Sequence, residues 1–502
     1  MNRLAKPRVA QYETTVHFHS FASNLGLMTH GSRRLFLPFL AASILIALLA
    51  TPARSNAGPC TVDTGFNPPL NVGAQVYAVA LQTNGQILIG GQFSSIGGTN
   101  VANIARLNAD GRLDPNFDPG TAADIGYVSA IAVQPDGKVV IGGSFFSSTS
   151  AAPGNLARLN ADGSVDPGFD PGFYCDNAVN AVVVQPDGKI LFGGAFQTVD
   201  SFVRRNIARV QTNGTVDAMF DACVASSSGA GATGLVLLPE EEILASGTFT
   251  FTVGVSREGI ALLGGCMAGM CGNVETNYAP QPGMDANKNA YAVARRSNGN
   301  ALLAGDFRFY HNEARGGIVE LTTNGVPASS FNPGVGINDG ATIYTMAIQD
   351  DDRVIVGGNF VFYNGQLRYR FARINPDGSL DGSFDPGTGA NDSVSAIVLQ
   401  PDRKILVAGK FSSFNGATRK GIVRLYGDHL AAQLGTPSRL GNGQVQFSLT
   451  SDFPATYAVQ ASSNLVNWVA VTNVTLTNSS TTVTDAGAGA LAKRYYRAVS
   501  VP

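Results

Sequence analysis

Few residues in this 502-residue chain are arranged for catalysis. Of its five histidines only His311 and His429 lie beyond the apolar N-terminal segment. Neither sits in a histidine-based metal motif, and no Gly-x-Ser-x-Gly elbow occurs. Gly229-Ala-Gly-Ala-Thr-Gly234 matches a nucleotide fingerprint only by letters. It precedes a strand pattern, whereas phosphate binding needs a strand before it and a helix after. What recurs is an arginine followed eight residues later by an aspartate: Arg106 and Asp114, Arg158 and Asp166, Arg209 and Asp217, Arg373 and Asp381. Opposite charges facing each other across a hairpin contribute about 0.2–1 kcal/mol. These read as structural pairs rather than as a metal or substrate site. A fifth arginine, Arg424, has its counterpart in Asp63, near the other end of the array. The fifth copy has Glu320 and Ala328 instead, so both partners are expected to be lost together.

Aromatic and basic residues gather elsewhere, in irregular stretches. Tyr310, His311, Arg315, Tyr363, Arg368, Arg370 and Arg419 are the candidate ligand-binding groups, beside Phe309, Phe362, Phe414 and Lys420. Tyr310, Tyr363 and Phe414 share one repeated position, so packing of the loop is the competing reading. Asp176, Asn177, Asn338, Asp339, Asn391 and Asp392 make calcium the one candidate cofactor. No loop has the alternating oxygen spacing of a known calcium site, and no cofactor is otherwise expected.

The elements that must position these groups repeat. Phe93, Phe145, Phe196, Phe249, Phe307, Phe360 and Phe411 are spaced by 52, 51, 53, 58, 53 and 51 residues. A fixed period of this size marks units that bury their faces only against neighbours. The second copy shows two hairpins, turning at Gln134-Pro135-Asp136-Gly137 and at Asn160-Ala161-Asp162-Gly163. Both suit a type I turn closed by glycine at positive φ. Each copy therefore holds four strands, A to D, with short A–B and C–D turns and variable B–C and D–A loops. Runs such as Lys138 to Ile141 are apolar without alternation, as in strands buried on both faces. Seven four-stranded units predict a seven-bladed β-propeller. The last copy ends after strand C, and Thr61-Val-Asp-Thr-Gly-Phe66 matches the missing strand D. The N-terminal strand is expected to complete the seventh blade and leave no open edge.

The Gln-Pro-Asp-Gly-Lys turns at 134–138 and 185–189 carry a resemblance. So do the Gly-Gly-x-Phe element and the Ala-Arg-Leu-Asn-x-Asp-Gly-x-x-Asp-x-x-Phe element. Together they resemble the delta-60 repeat family of β-propellers, over Thr61 to about Asp428. The resemblance implies exported or surface-associated bacterial proteins and transfers no functional residues. The fourth copy departs from it: Glu240-Glu241-Glu242 replaces its first turn, Leu262 its arginine, and Cys266-Met-Ala-Gly-Met-Cys271 lengthens its second turn. A disulfide between Cys266 and Cys271 is expected, and Cys175 with Cys223 is a second candidate pair.

Charged residues are 14% of the chain and its net charge is −2, so no basic field points to nucleic acid. Residues 1–57 read as a secretory signal, with an apolar run from Leu35 to Ala50 and cleavage after Ala57; translation starting at Met28 would give it ordinary length. Ser32-Arg33-Arg34-Leu35 resembles a twin-arginine motif, and Sec export is the even alternative. After cleavage no membrane span is expected. Residues 58–428 form the propeller, 429–440 a linker and 441–502 a small β-sandwich. In that last segment Tyr457–Gln460, Trp468–Thr472 and Arg494–Val499 read as short strands, and it resembles a fibronectin type III module. Trp468 is expected in its core. The function these features predict is an exported monomeric binding or surface-interaction module, not an enzyme. It would engage a glycan or a cell-surface protein through the variable loops. A polysaccharide lyase or hydrolase in the propeller cleft is the alternative.

Overall fold

The computed structural model describes residues 60–427 and 433–501. Excepted are short stretches at 150–153, 170–174, 252–255, 265–271, 279–282, 286–287, 451–455, 477–479 and 491–493. The fold is all-β, and the helical segments described are the 3-10 turns Pro239–Glu241 and Ala486–Ala490. Two compact units divide it, Gly58–Gly427 and Asp428–Pro502. The proposed Cys266–Cys271 bridge lies outside the described residues. Cys175 carries a free, buried thiol, so the Cys175–Cys223 pairing does not form.

In the first unit the described residues form seven three-stranded antiparallel sheets, one per repeat. Repeat two is typical, with strand A at Ile125–Val133, B at Val139–Phe146 and C at Leu156–Leu159. Strands B and C are buried on both faces, and the clusters they build lie between successive sheets. Leu88 and Ile104 of repeat one pack with Val128 and Ile141 of repeat two. Six of the seven periodic phenylalanines are buried in these clusters; the side chain of Phe249 lies outside the described set.

Strand D is shorter than expected. It contributes one bridge, Val165 to Leu159 in repeat two, repeated at Leu113, Val216, Val274, Pro327 and Leu380. The aspartate that follows bends the chain away. Asp166 Oδ1 accepts the Gly168 N–H at 3.0 Å, and the Phe169 N–H closes a turn onto the Asp166 carbonyl. The turns themselves are as expected, with Gly137 at φ 86° and Gly163 at φ 93°.

The paired glycines of strand B have separate reasons. A Cβ on Gly143 would stand 2.1 Å from the Tyr127 carbonyl oxygen, where strand A bulges towards it. A Cβ on Gly142 would meet Val179 of the next repeat at 2.6 Å. One glycine admits the bulge and the other admits the neighbouring sheet.

The arginine–aspartate pairs form as predicted and do more than close a hairpin. Arg158 Nε lies 2.7 Å from Asp166 Oδ2, and its guanidinium covers the Phe169 ring at 4.6 Å. Its Nη1 donates to the Thr212 carbonyl in the C–D turn of repeat three. Arg106 reaches Ala161 in the same way. Arg424 pairs with Asp63 at 2.8 Å and reaches Ala109 in repeat one. These three pairs thus tie one sheet to the next, while Arg209 and Arg373 bond to Gln185 and Gln349 of their own repeats. Burial opposes ionisation of Asp166, but bonds from Lys138, the Gly168 N–H and Arg158 outweigh it and hold the carboxyl at about 2. Asp381 is likewise lowered to about 2.

Repeat five corrects one expectation. Its pair is not lost but reversed. Glu320 takes the arginine position on strand C, and Arg296, in the A–B turn, lies 3.0 Å from it. Arg296 covers the Phe331 ring at 5.3 Å and donates to the Pro376 carbonyl in repeat six. The same three contacts survive, with the acid now on strand C and the arginine in the A–B turn.

Strand A of each repeat packs against strand A of the next, and Val394–Leu399 of repeat seven packs against Gln75–Leu81 of repeat one. Val62 bridges Leu425, and the Cys60 N–H donates to the Tyr426 carbonyl.

The second unit has two sheets. In one, Val445–Thr450 pairs with Ser480–Asp485, Gln433–Leu434 and Ser438–Arg439. The expected linker therefore contributes two short strands. In the other, Thr456–Ser462 lies between Val469–Thr475 and Tyr495–Val501. Phe447, Leu449, Tyr457 and Val483 form the core between them. Trp468 is not part of it. It is half-exposed, with the Arg497 guanidinium 4.2 Å from its ring.

Candidate functional site

The B–C loops of repeats one, three, five, six and seven are two-residue hairpin strands on the variable face. In repeat five Phe309–Tyr310 pairs with Glu313–Ala314, and in repeat six Phe362–Tyr363 pairs with Gln366–Leu367. Successive residues of a strand point to opposite sides, and this decides which aromatic ring is presented. Tyr310 and Tyr363 are fully buried, whereas Phe309 and Phe362 are 43% and 40% exposed. Tyr310 packs on Phe307, and the Tyr363 hydroxyl donates to the Gly378 carbonyl at 3.1 Å. As ligand contacts the two tyrosines are corrected to core residues.

The basic candidates are also engaged. Arg315, Arg368 and Arg419 occupy one repeated position and are buried. Arg368 Nη1 donates to the Leu367 carbonyl and lies 3.9 Å from Asp385, while Arg315 pairs with Glu313. Arg419 donates to the Thr418 carbonyl. Burial pulls its guanidinium below the usual arginine range, against the field of Asp63. Arg370 has φ 66°, and its Nη1 donates to the Ala390 carbonyl at 2.8 Å. Asn103 and Asn155 stand at the corresponding position, also at positive φ, and donate to the Ala123 and Cys175 carbonyls. Arg370 does their work, anchoring the following D–A loop. His311 is half-buried, and its backbone N–H donates to the Gly283 carbonyl.

The Asp and Asn residues of the D–A loops hold the hairpins. Asn338 Oδ1 accepts the N–H groups of Val361 and Phe362, and Asn391 Oδ1 those of Ser412 and Ser413. Asp176 Oδ1 accepts the Gln197 N–H. Asn338, Asn391 and Asp176 thus each have one side-chain oxygen bonded to backbone, whereas Asp339 is paired with Arg308.

What the loops leave open is a groove of about 540 Å³ between the hairpins of repeats five and six. Phe309, Phe362, Val335 and Ile337 line it, with Arg308 and Asp339. Arg308 Nε lies 2.9 Å from Asp339, and both side chains are mostly exposed. Val335 is 68% exposed. The groove offers two aromatic faces, an aliphatic wall and a solvent-facing ion pair. Phe309 and Phe362 stood next to the tyrosines in the sequence. Only the strand pairing reveals which of each pair turns outward.

Residues 82–117, 134–169, 185–220, 349–384 and 400–428 match the family described as a domain of unknown function (DUF5122) beta-propeller. These are repeats one, two, three, six and seven. The described fold is all-β, and the family it matches in these five repeats is a β-propeller family without assigned function. No curated protein matches the chain. Among solved structures it is similar to a GH74 enzyme of Niastella koreensis, at 13% identity and a TM-score of 0.39, over 83% of this chain and 69% of that one. It is also similar to a protein of unknown function from Bacteroides caccae, at 13% identity and a TM-score of 0.29, over 59% and 91% of the two chains. A third is the GH43 protein BlXynB of Bacillus licheniformis, at 9% identity and a TM-score of 0.23, over 88% and 100%. The expectation that the chain is not an enzyme is corrected accordingly, because glycoside hydrolases stand among the proteins it is similar to. At such scores the likeness assigns it no reaction. Among the described residues no helix is long and apolar enough to cross a membrane.

Proposed function

We propose that the protein is an exported, seven-bladed propeller that binds a glycan on its variable-loop face. Residues 61–66 would complete the seventh blade, and a fibronectin type III-like module would follow. The ring reading draws on the strand A contacts between repeats seven and one, the Val62–Leu425 bridge and the Asp63–Arg424 pair. Export draws on the apolar run after Arg33-Arg34.

The observation that carries the binding reading is the outward pair Phe309 and Phe362 over the groove. Phe309, Phe362 and Val335 make a contiguous exposed apolar patch, the kind of surface that marks an interaction site, and a sugar ring has the flat C–H face to cover it. Arg308 and Asp339 at the rim supply a donor and an acceptor for its hydroxyls. The test is a glycan array and an insoluble-polysaccharide pull-down with the protein and its Phe309→Ala/Phe362→Ala variant. Retention that the variant loses supports the reading. Retention that it keeps, or none by the parent, overturns it. Reducing-end assays on retained polymers report whether binding leads to cleavage.

A further inference from the structure

A second cluster lies away from the groove, where the strands A meet. Each strand A carries a bulge at the same place. The extra residues are Tyr77, Ser129, Asn180, Tyr291, Tyr344 and Ser395, with Thr233 in repeat four. A bulge re-aims its side chain, and in the ring proposed above these positions face the axis. Repeats two to four use theirs to seal the ring. Ser129 Oγ donates to the Val179 carbonyl at 2.9 Å, Asn180 Nδ2 to that of Ala232 at 3.3 Å, and Thr233 Oγ1 to that of Ala290. Repeats five, six and one carry tyrosines instead. Tyr291 and Tyr344 meet edge to face at 5.5 Å, as do Tyr77 and Tyr127 at 5.7 Å. All four are half-buried.

The residue just before each periodic phenylalanine also changes along the ring. It is Ser144, Ala195 and Thr248 in repeats two to four, but Asp306, Asn359, Lys410 and Gln92 in repeats five, six, seven and one. Asn359 Nδ2 donates to the Tyr344 hydroxyl at 3.2 Å, and Tyr77 donates to Gln75 Oε1 at 2.6 Å. Lys410 stands between the two tyrosine pairs. It is exposed, 5.9 Å from the Tyr77 ring centroid. Two independent repeat positions therefore depart from the pattern on one arc, and they depart towards aromatic rings, amides, one cation and one carboxylate, Asp306, which is engaged by the Asn289 N–H on the side of the arc away from Lys410.

We propose that this arc is a binding subsite for an acidic saccharide. The tyrosine rings pack on the sugar's C–H face, being apolar in body and polar at the tip. Lys410 takes the uronate carboxylate in a charge-assisted bond. Asn359, Gln75 and the phenol hydroxyls serve the ring hydroxyls. The subsite rests on the ring reading but not on the groove.

The test is calorimetric titration of the protein with oligogalacturonate and with a neutral cello-oligosaccharide of equal length. Oligogalacturonate is expected to bind about tenfold more tightly, the scale of one charge-assisted bond. Lys410→Gln, a change at an exposed position, should abolish that preference. Tyr344→Ala should weaken both ligands, with an unchanged melting curve as control. Raising salt from about 0.05 M to about 0.5 M should weaken the acidic ligand alone. The proposal is overturned if neither ligand binds, or if the two bind equally. It is also overturned if Lys410→Gln changes nothing while Phe309→Ala/Phe362→Ala removes binding, an outcome that leaves the groove reading standing.

Discussion

At the scale of single residues, the repeated arginine neutralises an aspartate and covers a phenylalanine, and at Arg106, Arg158 and Arg424 it also caps a turn of the next sheet. Arg209 has its pair buried on both sides, 2.8 Å from Asp217 with both side chains 3% exposed. Removing one partner of a buried pair leaves an uncompensated charge and costs about 3–5 kcal/mol. Arg209→Ala should lower stability by that amount in urea unfolding, whereas Arg112→Ala, whose pair with Asp110 is exposed, should cost no more than about 1 kcal/mol. The aspartates also set an acid limit. Asp166 and Asp381 are held at about 2, against about 3.9 in an unfolded chain. A carboxyl lowered on folding contributes stability above its unfolded value and loses it as pH falls through its folded one. The melting temperature should therefore hold down to about pH 4 and fall between about pH 4 and 2. Asp166→Asn should flatten that fall, and an equal fall in the variant would remove Asp166 from the account. The pairing was legible because Arg and Asp recur at fixed spacing. The reversed pair was not, since Arg296 sits where other repeats have glutamine and only proximity links it to Glu320.

Elements explain the glycines and the hairpins. The second glycine of each Gly-Gly pair lies against a carbonyl of the strand A bulge. Gly143→Ala should cost about 3 kcal/mol or more, the upper range for overpacking, because a backbone oxygen 2.1 Å away has nowhere to go. Ala304 already replaces the first glycine in repeat five, so Gly142→Ala should be milder. Equal losses from both substitutions would contradict the assignment. Strand order, turn type and Arg–Asp register could all be read from the repeat, because each copy confirms the others. The loops could be read less far, because their residues change from copy to copy even where the hairpin recurs. Phe309-Tyr310 and Phe362-Tyr363 give two adjacent aromatics, and the hairpin register alone decides that tyrosine goes in and phenylalanine out. Arg370 looked like a binding group because nothing in its sequence shows a positive φ. Its alignment with Asn103 and Asn155 was the available signal, since asparagine favours that conformation.

For the whole molecule, closure and binding are the two propositions. If residues 61–66 complete the ring, Asp63→Ala should act like an internal pair and lower stability by about 3–5 kcal/mol, although its partner Arg424 lies at the other end of the repeats. A loss below about 1 kcal/mol would mean that the chain ends do not hold the ring shut. On the proposed reading, glycan retention belongs to the face where the repeats differ, on a scaffold whose other face carries uniform turns. The most direct measurement is retention of the protein on a panel of insoluble and arrayed glycans, beside the Phe309→Ala/Phe362→Ala variant. The account predicts at least one glycan that the parent holds and the variant releases, with equal melting temperatures for both. Binding that survives loss of both rings, or a parent that holds no glycan, would contradict it.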